Sequence, residues 1–267
     1  MAGRLAGKIA VVAGAGQTPG ETVGNGRSIA LLFAREGAAV LCADRDEARA
    51  AETAALIVGE GGSAVALQAD ISKPAGAAAL TAAALQRWER LDILVNNVGI
   101  GGGGDGPAHA LEEAAFDRIL AVNLKGMWLT IKAALPVMRK QGGGAIVNIS
   151  SLAGIAGGHQ MAYEISKAGV NRMTASVAQA NASKGVRCNA VAPGLMNTPM
   201  AVEGIAAATG QSVAEVRAAR DKRVPLGGKM GSAWDTANAA LFLASDESRF
   251  ITGIVLPVDG GLSSRIA

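Results

Sequence analysis

The chain has 267 residues, 50% of them hydrophobic and 18% charged, with a formal net charge of +3. That length suits one large α/β domain or two small ones, and the apolar fraction is enough for a large core. No run of Lys or Arg forms a basic stripe, so the pI near 9.0 gives no reason to expect a nucleic-acid partner.

The stretch from Met1 to Lys8 has no apolar core of signal-peptide length. No uninterrupted apolar run approaches the roughly 18 residues of a membrane span. Cys42 and Cys188 each lie in an apolar, strand-like run and read as buried, reduced thiols. Together these features predict a cytoplasmic protein with no membrane partner. His109 and His159, the two histidines, read as loop residues, and no metal site is expected.

Apolar runs alternate with helical stretches from end to end. The strand-like runs are 8–14, 39–44, 64–70, 93–96, 145–150, 187–192 and 254–258. Most are continuously apolar rather than alternating, as in parallel strands covered on both faces. The helix-like segments are 27–36, 47–59, 74–90, 111–122, 124–140, 163–184 and 233–245. Pro74 sits in a first turn, where its missing N–H costs little. Lys184 and Gly185 supply a cation and a C′ glycine to close the sixth helix. This order implies a single α/β domain built on a doubly wound, seven-stranded parallel sheet. Residues 196–230 are irregular and rich in breakers, which predicts a flap outside the sheet.

The first strand ends in Val12-Ala13-Gly14-Ala15-Gly16, and a helix opens from Gly24-Asn25-Gly26-Arg27. Glycines there let backbone N–H groups approach a pyrophosphate at a helix N-terminus. The second strand ends at Asp44. A carboxylate there can accept hydrogen bonds from both hydroxyls of an adenosine ribose and would repel a 2′-phosphate. It could instead cap the next helix, a role that Asp46 can also fill. Arg45 could pair with a 2′-phosphate.

The chain has a single tyrosine, Tyr163, four residues before Lys167. On a helix the two share a face, one turn apart. A phenol with a pKa of about 10 is a poor acid–base catalyst at neutral pH, and a fixed cation beside it lowers that value. Reaching about 7–8 takes roughly 3–4 kcal/mol.

Further landmarks follow in register: Asp70 ending the third strand, Asn96-Asn97-Val98-Gly99, Asn123, Asn148-Ile149-Ser150-Ser151-Leu152-Ala153-Gly154, and Pro193-Gly194. With Tyr163 and Lys167 they make the chain resemble the short-chain dehydrogenase/reductase family, in its common single-domain form, from Lys8 to Gly261. The resemblance implies a Rossmann fold and a nicotinamide dinucleotide cofactor, and Asp44 points to NAD(H). It implies that Tyr163 moves a proton to or from a carbonyl oxygen. Lys167 would hold the nicotinamide ribose and lower the tyrosine pKa, and Asn123 would hold a water linking Lys167 to solvent. A serine would hydrogen-bond the reacting oxygen. Spacing from the tyrosine points to Ser150, whereas spacing to Gly154 points to Ser151. The local register favours Ser151, with Ser150 as the alternative.

Cofactor contacts are expected from Gly14, Gly24, Gly26, Asp44, Asp70, Ile71, Asn97, Gly99, Tyr163, Lys167, Pro193, Gly194 and Thr198. Substrate contacts are expected from Ser151, His159, Tyr163, Leu195 and Met200. Leu195, Met196, Met200, Val202 and Ile205 suggest an apolar pocket, and Gly101–Gly104 should leave the opposite rim open.

Three departures stand out. Ala13 replaces the threonine that usually opens the glycine motif, and Val98 replaces an alanine. Nine residues rather than three separate Gly14 from Gly24. The enoyl reductase branch also has a longer loop there, echoed by Ser28-Ile29-Ala30. That branch spaces its tyrosine and lysine by seven, however, and position 170 is Val. The inserted loop is expected to fold over the phosphate side of the cofactor, with Glu21 facing solvent or a cation such as Arg27.

The resulting expectation is an NAD-dependent alcohol dehydrogenase or carbonyl reductase acting on a bulky or cyclic secondary alcohol or ketone. It is expected to be a homotetramer packed through 124–140 and 163–184. An NADPH-dependent 3-oxoacyl ketoreductase shares every motif and stands as the alternative. A dinucleotide-sensing protein without turnover would have lost the tyrosine or lysine.

Overall fold

The structure, a computed structural model, describes residues 3–264. Its strands are β1 (Ile9–Ala13), β2 (Ala39–Asp44), β3 (Ser63–Gln68), β4 (Ile93–Asn96), β5 (Gly144–Ile149), β6 (Val186–Pro193), β7 (Met196–Asn197), β8 (Gly231–Ser232) and β9 (Val255–Val258). The helices are α1 (Asn25–Arg35), α2 (Glu47–Gly59), α3 (Pro74–Trp88), α4 (Glu113–Leu120), α5 (Met127–Gln141), α6 (Met161–Asn181), α7 (Glu203–Thr209), α8 (Val213–Asp221) and α9 (Ala233–Ala244). Seven strands form one parallel sheet in the order β3-β2-β1-β4-β5-β6-β9. The winding reverses between β1 and β4, the place where open α/β sheets bind ligands at their carboxyl edge.

The two faces explain the continuous apolar runs. In β1, Ala10 and Val12 pack with Ile29, Phe33 and Leu241 of α1 and α9. Ile9, Val11 and Ala13 pack with Leu80, Ile131 and Met138 of α3 and α5. Side chains alternate faces along a strand, so a strand with a core on each side has no polar position to spare. Full burial of a Val or Ile stabilises by roughly 1.5–3 kcal/mol, and this one strand supplies three such residues.

Two details differ from the sequence reading. The fourth and fifth helices are not separate. A π-helical segment, Ala121–Gly126, joins α4 to α5 and carries Asn123 at its centre. The 3.6-residue pattern slips by one residue there, which in sequence looks like a break. The segment between β6 and α9 is also more ordered than a plain flap. It holds α7, α8 and the short β7–β8 pair, around a small core of Val202, Ala206 and Val216. Among the described residues no helix is long and apolar enough to cross a membrane.

Candidate active site

The cofactor side forms where the winding reverses. Gly14 ends β1 with φ of +80°, a conformation that favours glycine. A Cβ at residue 26 would lie 1.8 Å from the Gly14 carbonyl oxygen, so only glycine lets α1 start that close to the strand. The Asn97 side chain donates to the same carbonyl at 2.8 Å and holds the turn from β4. Gly24 is the N-cap of α1 and supplies no side-chain cap. The first N–H groups of that helix therefore point outward without a capping partner. Two buried polar atoms beside them, Thr22 Oγ1 and Asn25 Oδ1, also have no partner. Uncapped N–H groups, unpartnered polar atoms and a glycine-tight approach fit a pyrophosphate.

Asp44 closes β2 with its carboxylate held by backbone donors, Gly16 N–H on Oδ2 and Asp46 N–H on Oδ1, each at 3.1 Å. Asp46 is the residue that caps α2, accepting from Arg49 N–H at 3.2 Å. Arg45, Gln68 and Asp70 line a cavity of about 800 Å³ beside this strand end. Hydrogen bonds from Ser72 hold the Asp70 carboxyl below its ordinary pKa. Ile71 is buried against Gly126. Across the sheet, a Cβ at residue 194 would collide with Asp259 at 2.6 Å, and Thr198 is buried at the start of the flap.

The chemical residues meet at the end of β5. Tyr163 and Lys167 lie one turn apart on α6, with the Lys167 Nζ 5.6 Å from the centre of the Tyr163 ring. Lys167 is buried and donates to the Ile149 carbonyl at 2.9 Å. Burial lowers its pKa from 10.5 to about 8. Burial also raises the pKa of Tyr163, against the pull of a hydrogen bond with Ser151. The direction is thus opposite to the lowering expected from the neighbouring cation. Desolvation is the largest cause, and the Lys167 ammonium is turned to the Ile149 carbonyl.

The two serines separate clearly. Ser150 is 3% exposed and donates to Asn171 Oδ1 at 2.6 Å. Ser151 begins the next turn, accepts from Ala153 N–H at 3.1 Å and faces Tyr163. Asn123 is buried, and its amide grips the backbone of Ile100 from both sides at 2.8 Å while donating to Ser166 Oγ at 3.1 Å. The side chain is thus occupied in tying the π segment to the loop after β4. A Cβ at Gly99 would sit 3.2 Å from Lys167 Nζ and 3.8 Å from Asn123 Oδ1, so these elements converge there.

Of the expected substrate contacts, His159 and Met200 are exposed and Leu195 is half-buried. Val202, Ile205 and Met196 depart from the expected pocket lining. Val202 and Ile205 pack inside the flap, and Met196 packs on Gly231. Glu164 accepts from Gly158 and Gln160 N–H groups and holds the loop before α6. The inserted loop leans on the flap: Glu21 N–H donates to Glu203 at 3.0 Å, and Glu21 pairs with Arg217 at 3.4 Å. Arg27 is taken by Glu52 at 2.6 Å and is not the partner of Glu21.

Sequence reasoning missed a buried polar ladder under the site. Thr130 donates to Asn96, Asn96 to Asn148, and Asn148 to Thr174, over 2.6–3.0 Å. It also missed Asp105, whose place beside glycines and Pro107 reads as an ordinary turn. Among the described residues no three potential ligands are grouped to hold a metal.

A family model described as enoyl-(acyl carrier protein) reductase matches residues 21–263. The 2,5-dichloro-2,5-cyclohexadiene-1,4-diol dehydrogenase LinX of Sphingobium indicum is 38% identical over 98% of this chain and 99% of its own. This chain is a short-chain dehydrogenase/reductase. Two other members of the family extend the comparison. The cis-4-hydroxycyclohexanecarboxylate dehydrogenase of Sinomonas cyclohexanicum is 38% identical over 96% of this chain and 97% of its own. A crystal structure of a short-chain dehydrogenase/reductase from Burkholderia xenovorans superposes with a TM-score of 0.93, at 47% identity and 100% coverage of both chains. As a short-chain dehydrogenase/reductase, this protein is an oxidoreductase using a nicotinamide dinucleotide, NAD or NADP.

Proposed function

We propose that this short-chain dehydrogenase uses NAD(H) to interconvert a ring-bearing secondary alcohol and its ketone. The observation that carries the reading is the placing of Ser151 beside the Tyr163 phenol, with buried Lys167 one helical turn along. The bound nicotinamide supplies or accepts the hydride. In the reducing direction Tyr163 gives its phenolic proton to the carbonyl oxygen as the carbon takes up the hydride. In the oxidising direction it removes that proton. Ser151 donates to the same oxygen and shares its charge as it develops. Lys167 would hold the nicotinamide ribose and stabilise the phenolate. Asn123 fixes the loop that passes both groups.

Asp44, with Asp46 already serving as the cap of α2, is available to accept ribose hydroxyls and favours NAD. Related enzymes named for cyclohexadiene and cyclohexane alcohols support a ring substrate, and the apolar Leu195 and Met200 side chains suit one. A cytoplasmic setting suits Cys42 and Cys188, buried thiols whose pKa values burial pushes up to about 12. Exposed Trp128 on α5 and Ile165 on α6 support packing of four copies through those helices.

The alternative is an NADPH-dependent 3-oxoacyl reductase, supported by Arg45 on the cavity beside β2. An enoyl reductase is disfavoured by the four-residue spacing of Tyr163 and Lys167. The test is a panel of cyclohexanol, cis-4-hydroxycyclohexanecarboxylate and a 3-oxoacyl thioester, each with both cofactors, read at the reduced-nicotinamide absorbance. The highest kcat/KM is expected for a ring alcohol with NAD. A higher value for the thioester with NADPH overturns the reading, and a monomer mass by light scattering overturns the tetramer.

A further inference from the structure

The first turn of α6 is held from outside its own segment. Its N-cap, Gln160, makes no side-chain cap. Three successive N–H groups are taken instead by the loop after β4. Met161 donates to the Gly106 carbonyl at 3.2 Å, Ala162 to Asp105 Oδ1 at 3.0 Å, and Tyr163 to Asp105 Oδ2 at 3.1 Å. Asp105 Oδ1 also accepts from Gly106 N–H at 2.9 Å. The first N–H groups of a helix have no partner within it, and a carboxylate is the favoured one there.

The tie reaches the ring as well as the backbone. A Cβ at Gly101, in the same loop, would lie 3.5 Å from Tyr163 Cδ2, so the loop backbone runs alongside the phenol. At its far side the loop is anchored on α4: Arg118 donates to the Gly103 carbonyl at 2.6 Å, and Glu112 N–H to the Gly104 carbonyl at 3.0 Å. Gly102, Gly103 and Gly104 all have positive φ, which lets the loop double back between these anchors.

We propose that Asp105 is a positioning residue for the reaction: its carboxylate, bridging two N–H groups of α6, fixes where the Tyr163 hydroxyl stands relative to Ser151 and Lys167. This rests on Tyr163 being the proton-transfer group. A shift of about 1 Å at a reacting group can cost on the order of 10²-fold in rate, and a freed first turn permits such a shift.

The test uses Asp105→Ala, with the ring alcohol and cofactor that the wild type turns over fastest. Because Tyr163 is the single tyrosine, the phenolate absorbance titrates it alone, without substrate. The variant is expected to lose more than threefold in kcat, with the Kd for the reduced cofactor within twofold of wild type. Its cofactor-free Tyr163 titration should move down toward that of a solvated phenol. A cap that serves stability alone would lower Tm and leave the titration in place. An unchanged titration, or kcat within threefold of wild type, overturns the proposal. If Asp105→Ala does not fold, Asp105→Asn carries the test with the same thresholds. It keeps the volume and one acceptor but can turn a donor toward the Tyr163 N–H. Tyr163→Phe, run alongside, separates the two ideas: if it stays active, the proton-transfer reading fails rather than the role of Asp105.

Discussion

Ser150→Ala and Ser151→Ala should fail in opposite ways, and the reason lies in their partners. Ser150 Oγ donates to Asn171 Oδ1 at 2.6 Å inside the protein, while Asn171 Nδ2 is fixed on the Gly154 carbonyl at 3.0 Å. Asn171 cannot turn to find another donor. Removing the buried Ser150 hydroxyl leaves the half-buried Asn171 acceptor unpaired, at a cost of up to about 1–3 kcal/mol. For a chain of this size that is a fall in Tm of roughly 2–12 °C. Turnover should hold within a few-fold, because Ser150 does not face the phenol. Ser151 has one backbone donor, Ala153 N–H, and is half-buried. Its loss should leave Tm within a few degrees. It should lower kcat by about 10²–10³, the usual effect of removing one donor to a developing oxyanion. Steady-state kinetics and thermal unfolding of both variants decide it. If Ser150→Ala loses the activity while Ser151→Ala keeps it, the assignment of the serines is reversed and the reasoning fails.

Other outcomes follow from the same geometry. Tyr163→Phe should cut kcat by about 10²–10⁴ while cofactor Kd stays put, since only the acid–base oxygen is lost; retention of more than a tenth of wild-type kcat refutes its role. In the wild-type chain without cofactor, the phenolate titration should have its midpoint above the ordinary value of about 10, and a midpoint at or below that value would show that burial does not dominate. For Lys167 the folded pKa is about 8 against 10.5 unfolded. Between those pH values the unfolded chain binds more protons, so stability should rise with pH across that window. Thermal melts should show wild type gaining on Lys167→Met from pH 8 to 10.5, and parallel curves would contradict the shift. Replacing residues 17–23 with one glycine should raise the cofactor Kd. Because Glu21 is tied to Glu203 and Arg217, substrate KM should rise as well; an unchanged KM would mean that the loop and flap act independently.

The sequence by itself determined the elements and their class. Continuous apolar runs spaced by helical segments admit few arrangements other than a parallel sheet covered on both faces, and the seven strands of the main sheet follow from that constraint, whereas the β7–β8 pair does not. Spacing along one helix was equally sufficient for Tyr163 and Lys167, because four residues make one turn wherever the helix lies. What depends on residues far apart in the chain was decided by tertiary structure. The different surroundings of Ser150 and Ser151 rest on Asn171, which reaches Ser150 only once α6 packs on β5. The join at Asn123 is invisible in a periodic pattern, because a π segment shifts the phase that the pattern measures. Val202 and Ile205 have the composition of a pocket lining, yet α7 and α8 close on them to make a core. Asp105 carries no local signal at all: its meaning comes from a contact across 58 residues. The Tyr163 pKa shows the same division, since adjacency to Lys167 is a fact of sequence, whereas the burial that raises the phenol is a fact of packing.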